Sequence, residues 1–129
     1  MDHALQQPES PLGETLEVVH HEDERFYELM VDGQFGGLLV YGRGGSRIVF
    51  THTFIAEGFR GRGLSNFMIQ GTLDDVRAHG LTVTNFCPVL DHFFETHPGY
   101  IPLIDERVPG TWSRRDHEGR RANGVASRG

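Results

Sequence analysis

Arg47-Ile48-Val49-Phe50-Thr51-His52-Thr53-Phe54-Ile55 is a long β-branched and aromatic run, followed by Glu57-Gly58-Phe59 and then Arg60-Gly61-Arg62-Gly63-Leu64-Ser65. The first part has the composition of a strand. From Leu64 the pattern changes period: Leu64, Phe67, Met68 and Gly71 recur at helical spacing, and Ile69, Leu73 and Val76 form a second apolar strip. A strand therefore passes through a glycine-arginine loop into a helix buried on much of its surface. Glycines let backbone amides converge on one point without side chains in the way, and a helix N-terminus adds partial positive charge. The loop can thus cradle a phosphate, with Arg60 and Arg62 contacting it from the side. It lacks the Gly-Lys-Ser/Thr ending of a P-loop, and its spacing and antiparallel surroundings differ from a dinucleotide fingerprint. The competing interpretation is an ordinary glycine turn before a helix.

Upstream, Thr15–His20, Arg25–Val31 and Gln34–Tyr41 read as strands, with Asp32-Gly33 a strong hairpin signal and Gly42-Arg43-Gly44-Gly45 a further turn. Downstream, Arg77 and His79 close the helix before Gly80. Leu81–Cys87 reads as a strand, Pro88 opens a second helix running to about Thr96, and Pro98-Gly99 ends it. Tyr100–Ile104 reads as a short extended end. The pattern predicts an α/β (α+β) fold: a mixed, mostly antiparallel sheet with one β-α-β crossover and about two main helices. Residues 1–13 read as a flexible leader and 14–104 as the domain. Residues 105–129 read as an Arg/Gly-rich tail, disordered or loosely docked, with Trp112 its only large anchor.

The 129 residues suit one domain, and 37% hydrophobic with 23% charged content suits a globular protein. No apolar run is long enough to cross a bilayer, and Met1–Pro8 lacks the features of a secretory signal. A single cysteine, Cys87, excludes an internal disulfide framework and a multi-cysteine zinc site. A cytoplasmic location is the expectation. Net charge is -6, all 12 basic residues are arginine, and Arg107, Arg114, Arg115, Arg120, Arg121 and Arg128 follow residue 104. The body is therefore more acidic than the whole. That balance repels nucleic acid and attracts a cationic partner, although acidity for solubility alone is common.

The loop resembles the acyl-CoA pyrophosphate loop of the GNAT acetyltransferases, written Gln/Arg-x-x-Gly-x-Gly/Ala. Arg60, Gly63 and Ser65 hold its defined positions, with Ser65 departing from the usual Gly or Ala. Phe50-Thr51-His52-Thr53, Cys87-Pro88 and His97-Pro98-x-Tyr100 extend the resemblance to a minimal small-domain GNAT branch, over about Leu16 to Ile104. The resemblance implies an N-acetyltransferase using acetyl-CoA / coenzyme A, with an amine acceptor that is a small amine or a peptide or protein lysine. It implies that Phe54 and Ile55 bond the pantetheine arm and that the amides of Arg60, Gly61, Arg62, Gly63, Leu64 and Ser65 hold the pyrophosphate. The strand ending at Cys87 should splay from its parallel neighbour, leaving a wedge for the thioester. An acceptor amine would attack directly in a ternary complex. Larger GNAT domains place two helices between their first two strands, where this chain has only His21-Glu22-Asp23-Glu24, so the acceptor side should be open.

Cys87 precedes a helix N-terminus, a setting that favours thiolate. It could be the general acid for departing CoA, a wedge contact, a nucleophile, or a small buried hydrophobe. His52 could act as base, or be a core histidine bonded to a neighbouring strand. The following helix carries Phe93 and Phe94 where many GNAT enzymes have a tyrosine acid, and Tyr100 is a distant substitute. His97 reads as a helix cap. His20-His21 with His92 or His97 has no metal-binding spacing, and no metal is expected. A monomer or weak homodimer is expected. A non-catalytic acyl-CoA-binding module is the alternative function; a nucleic-acid binder using the arginine tail is a third, disfavoured by the acidic body.

Overall fold

A computed structural model describes residues 3–4 and 13–112. Six strands lie in sequence order: β1 (His3–Ala4), β2 (Leu16–His21), β3 (Phe26–Val31), β4 (Gln34–Gly44), β5 (Arg47–Ile55) and β6 (Thr82–Asn85). Every neighbouring pair is antiparallel except β5–β6, which is parallel and is joined through helix α1 (Leu64–Ala78). Helix α2 (Pro88–Thr96) follows β6, and 3₁₀ turns occupy Glu57–Phe59 and Pro98–Leu103. This is the mixed sheet with one crossover and two main helices that the pattern of periods implies.

Local chemistry explains the elements. Asp32 and Gly33 both adopt positive φ, 52° and 77°, the pair a tight hairpin turn requires. Asp32 Oδ1 also accepts the Thr15 amide at 2.8 Å, tying the hairpin to the start of β2. His21 pairs with Phe26 across a four-residue turn, so no helix intervenes between β2 and β3. Leu64, Met68, Ile69, Leu73 and Val76 of α1 are buried in one cluster with Leu16, Val18, Leu29, Val31, Leu39, Ile48 and Phe50 of the sheet. Each such side chain contributes on the order of 1.5–3 kcal/mol on burial. The Tyr27 hydroxyl donates to Asp75 Oδ2 at 2.7 Å, fastening the C-terminal part of α1 to β3; burial, then that bond, pushes its pKa far up.

The end of the domain departs from expectation. Tyr100–Leu103 is not extended: Pro98 and Pro102 fix φ near helical values, and Tyr100 N→His97 O and Ile104 N→Ile101 O bonds close 3₁₀ turns. Only Ile104 returns to the sheet, bridging Val83. Ordered contacts continue past it. Asp105 N donates to Val83 O at 2.7 Å, Asn85 N to Pro109 O at 3.2 Å, and Gly110 bridges Asn85. Ile104–Trp112 thus straps the outer edge of β6, ending with Trp112 buried and 5.7 Å from the Phe94 ring. Within the expected leader, His3–Ala4 pairs with Val19–His20 of β2. The remaining leader residues before 13, and the tail arginines Arg114, Arg115, Arg120, Arg121 and Arg128, lie outside the described residues.

Candidate active site

The site grows from an irregularity in β5. Val40 of β4 pairs with His52 and the next residue, Tyr41, with Phe50, so Thr51 is the extra residue of a β-bulge. Before the bulge Ile48 and Phe50 face the helices. After it the alternation is offset: Thr53 and Ile55 turn inward, while His52 and Phe54 are exposed on the outer face. Pairing with β6 stops at Phe50↔Asn85, capped by Phe86 N→Phe50 O at 2.9 Å. β5 nevertheless continues to Ile55. On that side Thr51–Ile55 has no strand partner among the described residues, so the ladder ends where the expected wedge would open.

Cys87 stands where the chain leaves the sheet. It is 3% exposed, and its Sγ lies 3.0 Å from Thr53 Oγ1 on the facing lip. Its amide donates to Asn85 Oδ1 at 3.0 Å and its carbonyl accepts the Leu90 amide at 3.1 Å, making Cys87 the N-terminal cap residue of α2.

At the open end of β5 lies the glycine-arginine loop. Arg60 N is the last amide engaged, with Glu57 O at 3.3 Å. From Gly61 to the first turn of α1, no amide donates to a described residue, and Gly63 caps α1 without a side-chain bond. Gly61 and Gly63 sit at φ 76° and 75°, conformations that disfavour other residues, and a Cβ on either would meet nothing within 4 Å. The loop is therefore a row of donors unengaged by described residues at a helix N-terminus, with open space around Gly61 and Gly63. An anion fits there.

Residues 26–103, more than half of the chain, match the model of the GCN5-related N-acetyl-transferase family. The chain belongs to the GCN5-related N-acetyltransferase family. No curated protein matches it. The matched segment of this GNAT protein contains the bulged strand, the loop, Cys87 and α2, whereas Ile104–Trp112 lies beyond it. Family membership supports acyl transfer as the class of activity.

The arginines of the GNAT loop are placed less simply than the sequence suggests. Arg60 Nε donates to Ile55 O at 2.8 Å, and its guanidinium lies 5.7 Å over the Phe54 ring, which stacks on Phe35. Arg62 pairs with Glu14 and lies 5.6 Å over Phe59. His52 and Cys87 fall on opposite faces of β5 and are not brought together. His52 is not a core histidine: it is exposed, because the bulge turns it outward.

Other sequence candidates have structural partners. The Tyr100 hydroxyl donates to Asp74 at 2.7 Å under the Arg77 guanidinium, so it is engaged with α1; burial and then that carboxylate push its pKa up to about 12. His97 stacks on Phe93 at 4.0 Å and reaches the Phe93 carbonyl at the end of α2. His20 stacks on Tyr27 and bonds the Tyr41 hydroxyl at 2.6 Å, and His21 bonds Glu28 at 2.7 Å. Among the described residues no cluster of His, Cys, Asp and Glu could hold a metal ion. A shallow cavity of about 350 Å³ lined by Glu22, Arg25, Tyr41, Arg43 and Gly45 lies at the opposite end of β5 from the loop. No described helix is long and apolar enough to cross a membrane.

Thr53, Glu14 and Asn85, with Asp91 and Thr111 bonded to Asn85, border the candidate site, and sequence reasoning missed them. Asn85 alone carried a signal, since an Asn two residues before Cys87 suits a side-chain turn. The others depend on the bulge, the strap or a distant ion pair.

Proposed function

We propose that this GNAT protein is an acetyl-CoA-dependent N-acetyltransferase that passes acetyl to an amine by direct attack in a ternary complex. The unengaged amides from Gly61 into the first turn of α1, at the end of a strand with an open edge, carry the reading. Bound there, acetyl-CoA supplies an activated acyl carbonyl as its thioester. The amides of Gly61, Arg62, Gly63, Leu64 and Ser65 would hold the pyrophosphate, with the free end of the Arg60 guanidinium beside it. The backbone of Phe54 and Ile55 would bond the pantetheine arm as an added strand.

The two faces of β5 support a division of labour. His52, exposed on the outer face, would take a proton from an incoming ammonium. Cys87, with Thr53 as its hydroxyl partner, would protonate the departing thiolate. Base and acid belong on opposite sides of the reacting carbonyl, so their separation fits direct attack. With β2 and β3 joined by a tight turn, the outer face leaves room for a small amine or a peptide or protein lysine.

Thiol release from acetyl-CoA over a panel of polyamines and lysine peptides tests the reading. Turnover with at least one amine, lowered by Cys87→Ala, is expected. The near-complete burial of Cys87 favours a second reading, an acyl-CoA-binding module in which the thiol only packs; CoA binding with no release on any amine would support it.

A further inference from the structure

We propose that Thr111, Asp91 and Asn85 are positioning residues that fix the width of the β5–β6 wedge, making the Ile104–Trp112 strap part of the acyl-donor site. The proposal rests on the function just proposed for the wedge. Its basis is one buried, closed hydrogen-bond chain. Asn85 is fully buried, and its side chain templates the turn by which the chain leaves the sheet: Oδ1 accepts Cys87 N at 3.0 Å and Nδ2 donates to Cys87 O at 2.9 Å. The second Nδ2 hydrogen goes to Asp91 Oδ1 at 2.8 Å, on the first turn of α2. Asp91, 3% exposed, accepts the Thr111 hydroxyl on its other oxygen at 2.7 Å, and that hydroxyl also lies 3.0 Å from Asn85 O.

Each link constrains the next. Without the Asn85 amide, Phe86 and Cys87 could continue the parallel ladder along β5 and close the wedge. Asp91 holds that amide in its turn-forming rotamer, and Thr111 holds Asp91 in its own. A buried polar chain of this kind specifies one geometry because every alternative leaves a donor or acceptor unmet. The strap can reach Thr111 to this spot only because Gly110 lies so close to Asn85 that a Cβ would stand 2.1 Å from its carbonyl oxygen. The family match ends at residue 103, so the strap lies outside the matched segment.

Cys87 is the only cysteine and is 3% exposed, so its rate of alkylation by iodoacetamide reports how readily the chain around it opens. Thr111→Val, which removes the hydroxyl and keeps the shape, is compared with Thr111→Ser, which restores it. The expected result is a roughly tenfold change in alkylation rate and in CoA affinity by calorimetry for T111V, both restored in T111S. A T111V protein that melts lower but keeps wild-type alkylation and CoA affinity overturns the proposal. So does a T111S protein that behaves as T111V. If T111V does not fold, Asp91→Asn takes its place in the same two assays. If the wild-type protein shows no CoA affinity, the functional reading fails by itself, and the alkylation comparison still decides whether the network positions the wedge.

Discussion

Gly63 and Gly110 are both left-handed glycines, yet the consequence of an added methyl group differs. At Gly63 the Cβ would enter open space, so Gly63→Ala is strained by its φ alone, about 1–2 kcal/mol. A lowered urea midpoint with a retained fold is expected, together with weaker CoA binding as the row of amides is turned. At Gly110 the Cβ would collide with Asn85, so Gly110→Ala should lower stability by about 3 kcal/mol or more, measured in the same titration. The loop glycines were legible in the sequence because glycines interleaved with arginines, between a strand and a helix, suit an anion cradle. The orientation of His52 was not, because an alternating strand gives no sign of where one extra residue, Thr51, resets which face each side chain takes. Glu14 was equally hidden; its pairing with Arg62 joins residues 48 apart.

At the scale of elements, strands β2–β5, the crossover and both helices were readable from period and punctuation. The strap was not, because Gly, Pro, Arg and Asp at 105–110 have the composition of a loop, and only the unpaired edge of β6 gives that segment a place to bond. Asp105 pins it: its carboxylate accepts the amides of Val108 and Arg107 and the Thr82 hydroxyl. The Val108 amide, then the Thr82 hydroxyl, hold its pKa below the ordinary 3.8. The contribution is therefore complete above pH 3.8 and is lost as pH falls toward the lower folded value. Trp112, the single tryptophan, should report loosening of the strap in that acid range as a fluorescence change. Asp105→Asn should remove most of that pH dependence and leave neutral-pH spectra close to wild type. Tyr100 gives the opposite sign at high pH. Its pKa, raised to about 12, makes its contribution complete below the ordinary 10.0 and lost as pH rises through the folded value. The melting temperature should thus decline from about pH 10 upward, less so in Tyr100→Phe.

Among the described residues, one sheet carries a helix-covered face that supplies the core and an outer face that no helix covers, β2 and β3 being joined by a short turn. The loop and the wedge sit at one end of the sheet, with the thiol inside and the imidazole outside. That arrangement was only partly legible: the loop's position followed from strand-loop-helix order, whereas the wedge required knowing that β6 stops at Asn85 rather than at Cys87. Diphosphate binding by the amides after Arg60 is the central claim, and calorimetry with acetyl-CoA, CoA and dephospho-CoA tests it most directly. Saturable binding of one equivalent of acetyl-CoA and CoA, weakened in Gly63→Ala, is the predicted result. Absence of binding by all three compounds, or affinity indifferent to Gly63→Ala, would contradict it.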